Sequence, residues 1–310
     1  MGLALLFPGQ GSQFVGMGRE LAAAFPEARA VFQEADELLG HPFSSLMWEG
    51  PLDELTLTRN AQPALLIHSV AAYRVLASHL GDAHFAAGHS LGEFSAHVAA
   101  GTLSFADALS AVRRRGELMY ETGVARPGTM AAVLGLEDDQ VEAACRGVAV
   151  GVCVPANFNA PGQVVVSGDA EGVEAGTARL LEAGAKRVVP LNVSGAFHSP
   201  LMKPAEDGLR THLEGVTFRD PRLLVFSNVS AQPADGGEAA RELLVQQLTA
   251  PVRWTASIQA MVDAGAQRFV ELGAGSVLCG LNKRNARGMP CMSVGTPEDV
   301  ERFVNQGEEG

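Results

Sequence analysis

A serine flanked by glycines is the stretch of the sequence best suited to chemistry. Ser90 is the middle residue of Gly88-His-Ser-Leu-Gly92, a G-x-S-x-G pattern. The apolar run from Ala83 to Ala87 predicts a strand before it, and Glu93 to Ala100 predicts a helix after it. This context is typical of a nucleophile elbow, a turn so sharp that neither glycine position has room for a Cβ. The alternative is a serine that merely caps the helix.

A serine hydroxyl needs a positioned base, most often a histidine, before it can attack a carbonyl. Eight histidines are available, and we predict that His198 is this base. It lies in the Gly- and Ser-bearing loop Ser194 to Pro200, between a predicted strand and a predicted helix, where catalytic groups are common. His89 is too close in sequence to Ser90 to turn its ring readily onto the hydroxyl. The histidines on the predicted helix Gln62 to Leu80 are better explained by surface or core packing.

Composition excludes several classes of protein. The 310 residues are 47% hydrophobic and 19% charged, as expected for a globular chain, and the net charge of −12 argues against binding to nucleic acid or to an anionic membrane. No apolar run approaches the roughly 20 residues that span a bilayer. The N-terminal run Met1 to Phe7 has no positively charged n-region and turns polar at Gly9-Gln10, so it predicts a strand and not a signal peptide. We therefore expect a cytoplasmic protein.

The cysteine pattern indicates neither a metal site nor a disulfide framework. Cys145, Cys153, Cys279 and Cys291 are widely spaced, without a C-x-x-C pair. We predict four reduced core thiols and no metal.

Strands that alternate with helices predict an α/β fold with a mostly parallel sheet covered on both faces. The predicted strands of this part are 3–7, 83–87, 223–227 and 268–272. The predicted helices are 17–39 with an interruption near Pro26, 62–80, 93–100, 104–120, 201–213, 238–248, 254–264 and 276–284.

Between residues 127 and 193 the pattern changes to β-α-β-β-α-β, the order of a ferredoxin-like α+β unit. The strands are predicted at 130–134, 148–155, 163–167 and 187–191, and the helices at 138–146 and 171–183. The turn-rich segment Asn157 to Gly162 separates the two middle strands. We interpret residues 127–193 as a small domain inserted into a discontinuous large one, residues 1–126 and 194–310.

Six motifs in this order resemble the malonyl-CoA:acyl carrier protein transacylases, which are similar to the acyltransferase domains of polyketide synthases. The motifs are Phe7-Pro-Gly-Gln-Gly-Ser-Gln13, Gly88-His-Ser-Leu-Gly-Glu93, Arg115-Gly116, Asn157-Phe-Asn-Ala-Pro-Gly-Gln163, Phe197-His198 and Pro251-Val-Arg-Trp254. The resemblance runs from Leu6 to about Arg284. It implies an α/β-hydrolase-like large domain with an inserted ferredoxin-like one, in agreement with the pattern above.

The resemblance also implies roles for individual residues. Ser90 would be the nucleophile and His198 its general base, oriented by a main-chain carbonyl at Gln247. The oxyanion hole would be the backbone N–H groups of Gln10 and Leu91.

Arg115 would hold the free carboxylate of malonyl, because a guanidinium binds a carboxylate through two parallel hydrogen bonds. Without the resemblance, Arg113 to Arg115 would be read as a solvated basic face. Asn159 and Phe197 would also bind substrate, and Phe197 is similar to the residue of malonyl-selecting members. Gly195-Ala-Phe-His198 differs from the P-S-H form of some bacterial members, which bears on fine acyl selectivity.

The implied reaction is a ping-pong transfer from malonyl-CoA, through a malonyl-serine, to the phosphopantetheine thiol of acyl carrier protein, with no permanently bound cofactor. Carrier proteins are acidic, so two basic clusters are candidates for docking: Lys283, Arg284 and Arg287, or Lys186 and Arg187. The alternatives are a serine hydrolase or thioesterase on a similar scaffold, a polyketide-type acyltransferase with another acyl selectivity, and a binding module that has kept the fold without the activity.

Overall fold

The computed structural model describes residues 2–81, 83–193 and 195–308, with the side chains of residues 307 and 308 left out. Its strands form two separate sheets. In chain order the strands are β1 (Gly2–Phe7), β2 (Ala83–Gly88), β3 (Thr129–Leu134), β4 (Cys153–Ala160), β5 (Gln163–Gly168), β6 (Arg187–Pro190), β7 (Leu224–Phe226), β8 (Ala266–Leu272) and β9 (Cys291–Val294).

Helices surround both sheets. They are α1 (Arg19–Ala24), α2 (Pro26–Leu39), α3 (Phe43–Glu49), α4 (Leu52–Thr56), α5 (Thr58–Leu76), α6 (Gly92–Ala99), α7 (Phe105–Ala125), α8 (Asp138–Arg146), α9 (Ala170–Glu182), α10 (Lys203–Leu213), α11 (Gly236–Gln246), α12 (Trp254–Asp263), α13 (Val277–Asn285) and α14 (Pro297–Glu308). None of these helices combines the length and the apolar character needed to cross a membrane.

The larger sheet is parallel and has the order β7-β2-β1-β8-β9. Its central strand β1 is apolar and buried on both faces, because helices cover the sheet on either side. The carboxyl ends of β1, β2 and β7 lie next to one another, at Phe7, Gly88 and Phe226. The parallel strand order confirms the prediction of a mostly parallel α/β fold. In open α/β sheets ligands bind at the carboxyl ends of the strands, so the functional site is expected at this edge.

The smaller sheet is antiparallel, with the order β4-β5-β3-β6, and α8 and α9 pack on it. Its elements follow one another in the predicted order β-α-β-β-α-β. It touches the larger unit through β4, where the Phe158 amide donates to the Val252 carbonyl at 2.9 Å and the Val252 amide donates to the Ala156 carbonyl at 2.8 Å.

One strand of the smaller sheet was predicted at the wrong place. Residues 148–155 were expected to be extended and Asn157 to Gly162 to form a turn, but β4 runs from Cys153 to Ala160 and only Pro161 and Gly162 turn. The pairing of β4 with β5 on one side and the contacts with Val252 on the other satisfy the backbone of this Asn-rich stretch, which overrides its turn propensity. The elements α3, α4, α14 and β9 were also missed.

The expectation of four reduced cysteines is wrong for two of them. Cys279 on α13 and Cys291 on β9 form a disulfide, because these neighbouring elements bring their Cα atoms to 5.4 Å, within disulfide reach. Cys145 and Cys153 are buried free thiols. Among the described residues, no cluster of three or more His, Cys, Asp or Glu side chains is arranged to hold a metal ion.

Candidate active site

Ser90 occupies the sharp turn between β2 and α6, with a positive φ of 51°. The two flanking glycines are sterically required. A Cβ on Gly88 would lie 1.8 Å from the carbonyl carbon of Gly92, and a Cβ on Gly92 would lie 2.1 Å from the carbonyl oxygen of Phe7. The turn therefore has the nucleophile-elbow geometry, and Ser90 is not a simple helix cap.

His198 is hydrogen-bonded to this serine, with Ser90 Oγ 2.8 Å from His198 Nε2. The other ring nitrogen, Nδ1, lies 2.8 Å from the main-chain carbonyl of Gln247 and 3.2 Å from that of Ala250. Because both neighbours of Nδ1 can only accept, the proton sits on Nδ1 and leaves Nε2 free to take the serine proton. Burial, reinforced by the positive charge of Arg115, lowers the pKa of His198 to about 3. The imidazole is therefore neutral at physiological pH and can act as a base.

Arg115, on α7, contacts the same serine. Its side chain is buried, and Nη2 donates to Ser90 Oγ at 3.1 Å and to Gln247 Oε1 at 2.9 Å. Nη1 donates to Gln62 Oε1 at 2.7 Å. Burial lowers the pKa of Arg115 to about 10, so it keeps its charge. Its Nε–H is buried and has no acceptor among the described residues.

The neighbouring arginines of α7 point elsewhere. Arg113 and Arg114 lie at the surface and pair with Glu117, at 2.7 and 3.5 Å. Successive helical residues are rotated by about 100°, so only one arginine of three can face the cleft.

Two residues with candidate backbone donors line the cleft beside Ser90. Leu91 follows the serine, and Gln10 lies in the loop after β1, held by a hydrogen bond of 2.8 Å from Thr58 Oγ1 to its side-chain Oε1. Neither the Gln10 nor the Leu91 N–H donates a hydrogen bond to any described residue. Two unpaired donors next to a nucleophile are suited to stabilise an oxyanion.

The cleft has a volume of about 470 Å³ and lies between the two sheets. The larger unit contributes Ser90, His198 and Arg115, and Phe197 lines it beside the base. Met130 lines it from β3 of the smaller unit. The segment between β6 and Ser194 closes the same side, but Ser194 itself, predicted as part of the base-bearing loop, lies outside the described residues.

Asn159, expected to bind substrate, does not line this cleft. Its Oδ1 accepts a hydrogen bond from His89 Nε2 at 2.8 Å, and its carbonyl accepts one from Asn285 at 2.9 Å. Asn157 lines the cleft instead. Residues two apart in a regular strand face the same side, but the register of β4 against β5 shifts between Phe158 and Ala160. This irregular pairing, not the sequence, decides which asparagine faces the cleft.

A buried polar network behind the serine was not foreseen. Glu93, inaccessible to solvent, accepts hydrogen bonds from Gln247 Nε2 at 2.7 Å and from the Asn228 amide at 3.0 Å. The Asn228 side chain in turn accepts from the Ser90 amide at 2.7 Å and donates to the Gly88 carbonyl at 2.8 Å. Burial raises the pKa of Glu93 to about 7. Glu93 could have been suspected from its place in the Ser90 motif, whereas the sequence carries no comparable signal for Asn228.

Comparisons with known proteins agree with this geometry. The acyl transferase domain family matches residues 4–306. The malonyl CoA-acyl carrier protein transacylase of Bacillus subtilis (strain 168) is 46% identical over 304 residues, 97% of this chain and 96% of that protein. The solved acyl-carrier-protein S-malonyltransferase of Bartonella henselae is 43% identical, with a TM-score of 0.94 over 99% of this chain and 100% of that chain.

A third similar structure is a malonyl-transacylase solved in complex with its holo acyl carrier protein, from a type II polyketide system. It is 41% identical, with a TM-score of 0.94, and the match covers 99% of this chain and 100% of that chain. Similarity over nearly the whole length, in sequence and in fold, shows that the chain belongs to the malonyl-CoA:acyl carrier protein transacylase family.

Proposed function

We propose that this protein moves a malonyl group from malonyl-CoA to the phosphopantetheine thiol of an acyl carrier protein, through a malonyl ester of Ser90. The observation that carries the proposal is the convergence of three groups on one cleft: Ser90 Oγ lies 2.8 Å from His198 Nε2 and 3.1 Å from Arg115 Nη2. Family membership supports the same reaction. No bound cofactor takes part in it.

In the first half-reaction Ser90 Oγ attacks the thioester carbonyl while its proton passes to His198 Nε2. The carbonyl oxygen becomes an oxyanion and receives hydrogen bonds from the Gln10 and Leu91 amides. When the tetrahedral intermediate collapses, the carbon–sulfur bond breaks and the proton on Nε2 goes to the sulfur of coenzyme A. A malonyl-serine ester and neutral His198 remain.

The second half-reaction is the reverse with a new thiol. The phosphopantetheine sulfur loses its proton to His198 Nε2 and attacks the ester carbonyl, and the proton then returns to Ser90 Oγ as the ester bond breaks. Until that thiol arrives, the ester must be protected from water. Burial of His198 and Arg115 is consistent with a poorly hydrated cleft.

Arg115 supplies the recognition of the diacid. Its guanidinium can bind the free carboxylate of malonyl through two N–H groups without losing its proton. The carboxylate takes the place of Ser90 Oγ as a partner of Nη2, which frees the hydroxyl for attack.

A serine hydrolase on the same scaffold is the rival function. Its usual signature is a carboxylate behind the histidine, whereas both acceptors of His198 Nδ1 are main-chain carbonyls. Mass spectrometry after exposure to malonyl-CoA separates the two. We expect a stable malonyl adduct on Ser90 that disappears when holo carrier protein is added. Steady release of malonate without an adduct would indicate a hydrolase, and no reaction at all would indicate a binding module.

We further propose that the larger unit is α/β-hydrolase-like and that residues 127–193 form an inserted ferredoxin-like domain within residues 1–126 and 194–310. The order β4-β5-β3-β6 and the chain order β-α-β-β-α-β support the second assignment. The boundary residues 1 and 194 lie outside the described part of the chain. A cytoplasmic location is consistent with substrates that are CoA and carrier-protein thioesters.

Phe197→Ser is expected to admit methylmalonyl-CoA. Phe197 is buried in the cleft wall directly before His198, and removing its ring makes room for one more methyl group. A pocket contact of this size discriminates by about 10- to 200-fold, so we expect a relative gain for methylmalonyl of at least tenfold. The measurement is a competition between the two CoA esters, read by mass spectrometry of the acyl-enzyme.

Phe158→Ser is the matched control, because Phe158 belongs to the core of the smaller unit and does not line the cleft. Equal preference ratios in the wild type and in Phe197→Ser would contradict the assignment of Phe197 to acyl selection.

The two basic clusters proposed for carrier docking lie on either side of the Pro161–Gly162 turn. The Lys186 stem packs against Gly135, whose amide donates to the Gly162 carbonyl at 2.9 Å. Arg284 donates to the Pro161 carbonyl at 3.4 Å. The sequence analysis treated the two clusters as alternative docking sites. Because both adjoin the same turn, they can act together as one positive surface for an acidic carrier.

Reversing one exposed charge in each cluster, Lys186→Glu with Lys283→Glu, is expected to raise the KM for carrier protein and to leave loading by malonyl-CoA unchanged. The loss should shrink as salt is added, because exposed charges are screened. Arg19→Glu with Arg302→Glu is the control of equal charge change, on α1 and α14. An unaltered carrier KM in the first variant, or an equal rise in both, would exclude this surface.

A further inference from the structure

Glu93 is a buried carboxylate that takes no part in the reaction steps above. It lies in the first turn of α6, three residues after Ser90, and has no solvent exposure. Its Oε2 accepts from Gln247 Nε2 at 2.7 Å and from the Asn228 amide at 3.0 Å. A buried carboxylate is costly unless it stabilises other groups, so its partners indicate its purpose.

The first consequence concerns the side-chain amide of Gln247, whose Nε2 is surrounded by acceptors. They are Glu93 Oε2 at 2.7 Å, the Ser90 carbonyl at 3.1 Å and Asn228 Oδ1 at 3.5 Å. The nearest of the three belongs to the only group among them that can carry a negative charge, and in its ionised form Glu93 makes the strongest of these hydrogen bonds. Glu93 therefore decides which end of the Gln247 amide faces the serine elbow.

The second consequence concerns the opposite end of that amide. Gln247 Oε1 accepts from Arg115 Nη2 at 2.9 Å, while Gln62 Oε1 accepts from Nη1 at 2.7 Å. Two amide oxygens thus hold the two ends of the guanidinium. If the Gln247 amide turned over, its NH2 group would face the cation and Nη2 would keep only Ser90 Oγ as a partner.

The negative charge of Glu93 also stabilises the protonated form of Arg115 and opposes the effect of burial on the pKa of Arg115. Orientation and charge compensation therefore act on the same arginine. The His198 contact with Gln247 is separate, because it uses the main-chain carbonyl, which does not depend on the side chain.

We propose that Glu93 is a positioning residue for malonyl recognition: through the Gln247 side chain it holds Arg115 in the orientation that receives the free carboxylate of the acyl group. This inference rests on the proposed function, since it concerns the same arginine. It adds two positioning residues, Gln247 and Glu93, behind Arg115, which is the residue proposed to touch the substrate.

The test compares Glu93→Ala, Gln247→Ala and the double variant in two reactions of Ser90. One is acylation by malonyl-CoA, which needs Arg115. The other is labelling by a neutral fluorophosphonate, which needs Ser90 and His198 but no cation. Gln247→Ala keeps the main-chain carbonyl that orients His198, so it removes only the amide. Separate kcat and KM values are measured for malonyl-CoA.

We expect kcat/KM for malonyl-CoA to fall about 10- to 100-fold in each single variant, mainly through KM, as for loss of a hydrogen bond to a charged group. Fluorophosphonate labelling should stay at the wild-type rate. The double variant should be no worse than the more impaired single one, because both changes break one chain of contacts. Glu93→Gln keeps an oxygen acceptor but not the charge, so its kcat/KM for malonyl-CoA should lie between those of Glu93→Ala and the wild type.

Parallel loss of fluorophosphonate labelling in Glu93→Ala would overturn the proposal, since Glu93 would then serve the elbow through Asn228. Additive losses, or an undiminished malonyl rate, would also overturn it. If Glu93→Ala does not fold, Glu93→Asp withdraws the carboxylate by one methylene and should shift kcat/KM in the same direction. A wild-type protein that forms no malonyl-serine would contradict the proposed function itself, not this inference.

Discussion

Ser90→Ala is expected to form no malonyl-enzyme and to transfer malonyl at least about 10⁴-fold more slowly than the wild type. The alanine removes the oxygen that we propose carries the acyl group between the two thiols, whereas the proposed oxyanion donors and the cleft remain. The measurement is intact-protein mass spectrometry after malonyl-CoA, together with the steady-state rate of carrier-protein loading.

Ser95→Ala is the matched control for this change. Ser95 is a buried serine on the same helix α6, and its hydroxyl has no hydrogen-bond partner among the described residues. We expect wild-type loading and transfer from Ser95→Ala. A malonyl adduct that persists in Ser90→Ala would move the nucleophile to another residue and would contradict the proposed mechanism.

Arg115→Lys is expected to reduce kcat/KM for malonyl-CoA by about 100-fold or more, although the charge is kept. A lysine offers one ammonium where the guanidinium makes hydrogen bonds to Gln62, Gln247 and Ser90 at once. A hydrogen bond to a charged group contributes about 1.5–3 kcal/mol, so the loss of one or two of these contacts corresponds to this range. Most of the effect should lie in KM, because the carboxylate is bound in the ground state as well as in the transition state.

The control is Arg114→Lys, one residue earlier on α7. Arg114 is partly exposed and pairs with Glu117 and Glu121, at 3.5 and 3.6 Å. Surface ion pairs of this kind contribute little, so we expect no change in malonyl loading. Equal kinetics for Arg115→Lys and the wild type would rule out a role for the guanidinium fork, and rapid fluorophosphonate labelling of the variant verifies that its elbow is intact.

The arrangement of charge differs from that of a Ser-His-Asp triad. The carboxylate nearest the elbow, Glu93, contacts Gln247 and Asn228 and not the histidine. Instead, His198 Nδ1 donates to two main-chain carbonyls, which fix the tautomer of the imidazole without adding a full negative charge.

Local pattern alone sufficed for the elbow. Gly88, Ser90 and Gly92 are close in sequence, and the turn they form depends on a strand before and a helix after, both visible in the periodicity. The same holds for the parallel sheet, because alternating strands and helices leave few other ways to bury their apolar faces. His198 could be predicted from its loop, although the hydrogen bond that supports its proposed role as a base joins it to a residue 108 positions away.

Other features depended on contacts between distant segments. Arg115 was distinguished from Arg113 and Arg114 by resemblance, and its physical reason is the packing of α7 on α5, which turns one arginine towards Gln62 and the serine. Asn157 and not Asn159 lines the cleft because the pairing of β4 sets its register. The network of Glu93, Gln247 and Asn228 joins three segments that meet only in the folded chain.

The same division explains the error on the cysteines. Spacing along the chain gave no reason to pair Cys279 with Cys291, and only the packing of α13 beside β9 brings their Cα atoms within 5.4 Å. The sequence thus determined what local sterics and hydrophobic periodicity can dictate: the elbow, most of the helices and strands, and the fold class. Tertiary structure decided which polar side chains meet, because hydrogen bonds and disulfides act over a few ångströms in space, whatever the separation in sequence.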